Sequence, residues 1–257
     1  MTDLSHQSSA SPSSEQQVML ILACGDGIGA ALAHRFAAGG YHVVAVRRSQ
    51  EPLDELSAAI AAEGGSCTGV VADVRDEDEV IALFDRVEAE IGPIEICVYN
   101  GGANTDVPML ETSGKLFRKV WELCTFGAFL ATRESARVMG PRGHGVILYS
   151  GATSGVRGKK GYVAFASGKF GVRGIAQTAA KELGPMGIHA AHMLIDGGIK
   201  SAAIAKLWQD RAGVDVETFD EDVLIDPAAL AESYWQVAHQ PRSCWTNEIS
   251  IKSGATY

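Results

Sequence analysis

What the chain lacks narrows its class first. No apolar stretch approaches the roughly 18 residues of a membrane-spanning helix. The serine-rich opening, Met1 to Gln17, has no apolar core of the secretory kind and is read as a disordered tail. Basic residues never run beyond short pairs such as Lys159-Lys160, and a formal charge of -9 argues against a nucleic-acid surface. Cys24, Cys67, Cys97, Cys124 and Cys244 lie scattered, without the paired spacing of a metal site or disulfide framework, as expected of reduced thiols in the cytoplasm. No repeat and no linker interrupts the 257 residues, so a single domain over 18–257 is expected.

What is present is an alternation of strands and helices. The run Val18-Met-Leu-Ile-Leu-Ala23 is short, apolar and bounded by glycine, as in a parallel strand covered on both faces. Small and apolar residues then recur at helical spacing from Ala30 to Ala38, and Tyr41 to Val46 forms the next strand. Between strand and helix lie Gly25, Asp26, Gly27, Ile28 and Gly29. Glycines there let an anion approach bare backbone, where the first unpaired amides of the helix point outward. An ordinary strand-to-helix turn is the alternative reading of the triplet taken alone.

Arg47 and Arg48 follow the second strand, where a dinucleotide fold reads the adenosine ribose. Two guanidiniums and no acid at that position suit the 2′-phosphate of NADP(H) through forked charge-assisted hydrogen bonds, with NAD(H) as the alternative. Asp26 opposes that preference, because a carboxylate in the turn repels a phosphate. A solvated basic strand end is the plain alternative for the arginine pair.

Downstream, the pattern predicts helices over about 52–63, 76–91, 115–139, 162–183 and 232–240, and strands over 67–72, 94–99, 145–150, 189–195 and 248–251. Such alternation requires right-handed crossovers and a mainly parallel sheet. The glycine turn, Asp73, Asn100 and Asp196 all fall at carboxyl ends of strands, where cofactors bind in such sheets.

In the order and spacing of these motifs, the chain from about Val18 onward resembles the short-chain dehydrogenase/reductase family. The family motif TGxxxGxG corresponds to Leu22 through Gly29, with Ala23 at the first glycine. Tyr99-Asn100-Gly101-Gly102 stands for NNAG, and Asp73, followed by Val74, for the adenine-contacting aspartate. Asp196-Gly197 stands for the PG segment, with Ile199 where a backbone amide meets the nicotinamide carboxamide. The resemblance implies an α/β Rossmann-like doubly wound parallel sheet flanked by helices, NADP(H)-dependent oxidoreduction of a carbonyl or alcohol, and a homodimer or homotetramer paired through the long helices.

The resemblance weakens at the chemistry. Lys169 keeps the place of the family lysine, which holds the nicotinamide ribose, but Phe165, Ala152 and Cys124 replace the tyrosine, serine and asparagine. Tyr162 precedes Phe165 by three residues and Lys169 by seven, nearly on one helical face, and is the substitute acid if it is not simply a packing tyrosine. Thr153 is the substitute for the lost serine, with turn stabilisation as its bland alternative. A catalytically impaired nucleotide-binding protein, or a non-redox enzyme on the same fold, remains the competing reading. A lid over about 201–225, apolar at Ile204, Leu207 and Trp208 and acidic from Asp215 to Asp222, is expected to favour a neutral or apolar small-molecule substrate. Gly168, Gly171 and Gly174 permit close helix approach, either between subunits or against the chain's own sheet.

Overall fold

The structure is a computed structural model and describes residues 16–201, 205–206, 209–210, 213 and 223–256. In chain order the elements are β1 (Val18–Leu22), α1 (Ile28–Ala38), β2 (His42–Arg47), α2 (Glu51–Ala62), β3 (Ser66–Val71), α3 (Glu77–Glu90) and β4 (Ile94–Tyr99). There follow α4 (Gly114–Trp121), α5 (Gly127–Met139), β5 (Gly145–Ser150), α6 (Val163–Leu183), β6 (Ile188–Ile195), α7 (Pro227–Ala238) and β7 (Glu248–Ile251). The strands form one parallel sheet in the order β3-β2-β1-β4-β5-β6-β7, the doubly wound arrangement expected.

The apolar runs explain the layering. Every residue of β1 is buried, and alternate side chains serve opposite faces. Val18, Leu20 and Leu22 pack with Phe84 of α3, Leu130 of α5 and Val172 of α6. Met19 and Ile21 pack with Phe36 of α1, Leu53 of α2 and Tyr234 of α7. One sheet between two helical layers is the outcome.

Most boundaries lie within one or two residues of the sequence pattern, and three departures bear on the site. The helix expected over 115–139 is present as α4 and α5 joined by a π turn at Glu122–Phe126, which contains the buried Cys124. The helix expected at 232–240 starts earlier, at Pro227, because the Asp226 carboxylate accepts from the amides of Ala228 and Ala229. Tyr162, expected inside its helix, flanks the start of α6 with φ -109° and ψ 21°. Residues 1–15, and the lid residues Ile204, Leu207, Trp208 and 214–222, lie outside the described residues.

Candidate active site

The expected cofactor residues gather at the carboxyl ends of β1, β2, β3, β4 and β6, with Lys169 reaching them from α6. Helix α1 opens at Gly27 with no side-chain cap, so its first amides are left for an outside acceptor. A Cβ on Gly29 would stand 2.9 Å from the Cys24 Cα, so only glycine lets the turn fold this tightly. Ala23 takes φ +58°, the left-handed value that the glycine of the motif accepts without strain. Asn100 fastens the end of β4 to the turn, its amide donating to Leu22 O at 3.0 Å and its Nδ2 to Ala23 O at 3.2 Å.

At the ribose end, Arg47 Nη1 donates to Asp26 Oδ1 at 2.5 Å. The carboxylate that opposes a phosphate in the sequence is therefore the arginine's own partner. Arg48 is exposed beside it. Asp73 is less open than its motif suggests. The Arg75 guanidinium grips both its oxygens, and that hydrogen bond chiefly holds the carboxyl below its ordinary range. Val74 is buried in the core. Gly101 lies where a Cβ would come within 2.7 Å of Leu123 O. Beyond β6, the segment from Gly197 to Ile199 is pinned by a parallel bridge from Ile199 to Ile225, a partner that sequence spacing does not reveal.

The catalytic face centres on Lys169, only 4% exposed. Its Nζ donates to Gly101 O at 2.9 Å and to Ser150 O at 2.8 Å, tying α6 to the ends of β4 and β5. Burial pushes its pKa below the ordinary lysine range. The Phe165 ring centroid lies 5.9 Å from Nζ, and Cys124 is fully buried, its thiol pushed up by burial. The candidate hydroxyls are differently engaged. Thr153 Oγ1 donates to Asp196 Oδ1 at 2.6 Å, and that carboxylate also meets Arg157 and Lys252, each at 3.2 Å. Ser150 Oγ bonds the Tyr234 hydroxyl at 2.8 Å. Tyr162 lies with its ring 6.5 Å from that of Phe165 and 5.0 Å from Lys159 Nζ. It forms part of an apolar cavity of about 760 Å³ shared with Met109, Val163, Ala166 and Phe170.

An uncapped helix start beside a glycine turn, at the carboxyl edge of a doubly wound sheet, is the geometry of a Rossmann-like fold. The family model for short chain dehydrogenase matches residues 17–212, and the chain belongs to that family of oxidoreductases. It is similar to a short-chain dehydrogenase/reductase of Armillaria gallica, 34% identical over 180 residues, covering 68% of each chain. A crystal structure of a short-chain dehydrogenase from Rhodopseudomonas palustris is 40% identical, with a TM-score of 0.78, covering 92% of this chain and 98% of that one. The fold is shared with an actinorhodin polyketide ketoreductase crystallised with NADPH, 23% identical with a TM-score of 0.86, covering 95% and 99% of the two chains.

Proposed function

We propose that the protein is an NADP(H)-dependent oxidoreductase acting on an apolar carbonyl or alcohol, with a catalytic face reduced to its lysine. The observation that carries this reading is Lys169, a buried cation fastened between the carboxyl ends of β4 and β5 beside the glycine turn. A buried ammonium at that place is costly unless it serves the site.

The residues fit a dinucleotide. The amides of Gly27, Ile28 and Gly29 receive the diphosphate, Arg47 and Arg48 the 2′-phosphate, and the backbone of Gly197 and Ile199 the carboxamide. Arg47 must trade Asp26 for the phosphate, so the gain over NAD(H) is smaller than for an unpaired arginine. The NADPH bound by the ketoreductase of the same fold supports the same coenzyme here. When bound in reduced form, the nicotinamide supplies a hydride to a carbonyl carbon. The chain's part is to hold that carbonyl against the ring, which in favourable cases contributes about 7–11 kcal/mol. A missing general acid costs about 10²–10⁴ in rate and leaves that contribution standing.

The apolar cavity beside Tyr162 supports an apolar substrate. Exposed Phe117, Trp121, Phe129 and Phe170 on α4, α5 and α6 support pairing with a second copy. We place this activity in the cytoplasm, in keeping with five free cysteines. The replacements at Phe165, Ala152 and Cys124 favour a second reading, a nucleotide-binding protein without turnover. Titration with NADPH followed by fluorescence, then addition of aldehydes and ketones while reduced-nicotinamide absorbance is followed, separates the two. Saturable binding with carbonyl-dependent loss of absorbance is the expected result. Binding without that loss supports the second reading, and no binding overturns both.

A further inference from the structure

Lys169 has one proton donor to spare. An ammonium carries three N–H groups, and two are spent on Gly101 O and Ser150 O. The remaining direction is not closed by a side chain at Gly102. That residue is exposed, and a Cβ there would stand 3.1 Å from Nζ and 3.6 Å from Phe165 Cε2. The bare backbone at Gly102 therefore leaves that side of the ammonium uncovered by any side chain at this position. Two other hydroxyls near the face are bonded elsewhere, and the third faces a different surface. Thr153 is bonded to Asp196, Ser150 to Tyr234, and Tyr162 packs under Lys159 along the apolar cavity.

We propose that Lys169 itself is the general acid of the reduction, donating a proton directly from Nζ to the substrate oxygen. The inference rests on the reading of the protein as an NADP(H)-dependent reductase. As the carbonyl carbon gains a hydride from the reduced nicotinamide dinucleotide, its C–O π pair moves to oxygen. That oxygen takes the proton from Nζ as the N–H bond breaks, leaving a neutral amine. Water returns a proton to the amine. In the reverse direction the neutral amine is the base that deprotonates the alcohol.

The titratable groups facing Lys169 from the elements packed on it are Cys124 in the π turn and His192 on β6. Burial holds the thiol up and the imidazole down, so both are neutral near pH 7 and leave the ammonium as the charge on this face. Burial also lowers the lysine itself toward the working range of a proton donor.

The test uses the whole chain with NADPH and an electron-poor aryl aldehyde. The expected kcat for reduction is level at low pH and falls tenfold per pH unit above a break below the ordinary lysine value. The Lys169 ε-carbon, followed by NMR in lysine-labelled protein, titrates at the same pH in the NADPH complex. Lys169→Arg keeps the cation and holds its proton too tightly to donate it. It is expected to lose about 10²–10⁴ in kcat at saturating NADPH, and to lose the break. Retention of both rate and break in Lys169→Arg would overturn the proposal. So would a break that vanishes in Tyr162→Phe, or an ε-carbon that titrates at the ordinary lysine value. Saturable NADPH binding with no turnover in the wild type fails the reductase reading first, and this proposal falls with it.

Discussion

Ala23 shows a single residue held against its own preference. Its φ of +58° costs an L-residue about 1–2 kcal/mol, which glycine avoids at some loss of chain entropy. Ala23→Gly is therefore expected to stabilise the fold by about 1 kcal/mol and to raise Tm by about 2–4 °C in thermal unfolding. A lower Tm would show that Ala23 makes contacts outweighing its strain. The departure from the family glycine was legible in the sequence. The grip on Asp73 was also legible, because Arg75 stands two residues away, but the motif drew attention to the cofactor instead. The Thr153 bond to Asp196 crosses 43 positions, and nothing local announces it.

At the scale of elements, the fully buried strands were the readable part, since an apolar run covered on both faces leaves few alternatives. The π turn left no such trace. Its effect is visible in α6, where two of the three glycines expected to permit close helix approach, Gly168 and Gly171, admit this turn. A Cβ on Gly168 would lie 2.7 Å from the Cys124 Cβ, and one on Gly171 2.4 Å from Thr125 Oγ1. Thr125 Oγ1 in turn donates to Gly168 O at 3.0 Å. Gly171→Ala is expected to destabilise by about 1–3 kcal/mol through overpacking. Gly174→Ala meets open space within this chain and should stabilise by about 0.5–1 kcal/mol through helix propensity. Urea midpoints of the two variants check both signs. A destabilised, dissociated Gly174→Ala would reveal a partner helix against that position.

For the whole molecule, two sets of ionisable groups with shifted pKa values govern the response to acid. Burial chiefly lowers the pKa of His42, His189 and His192, so the unfolded chain takes up these protons first. Their contribution is complete above about pH 6.5 and is lost as pH falls below it. Hydrogen bonds from Arg75, Thr153 and Arg173 chiefly lower Asp73, Asp196 and Glu248. Stability from these carboxylates is complete above about pH 4 and drains away as pH falls through their folded values. Urea denaturation across pH 3–8 should show the two stages in that order. Stability unchanged between pH 7 and 5 would mean that the histidines do not contribute.

β1 is hydrogen-bonded to β2 on one side and to β4 on the other, so the residues that fold the glycine turn also seat the half carrying Lys169. A fragment ending with α3 would present the whole backbone edge of β1 unpaired, and that edge is apolar on both faces. The halves are thus bound by a common seam. Proteolytic excision or recombination at the midpoint yields a sticky remnant in place of a working coenzyme module.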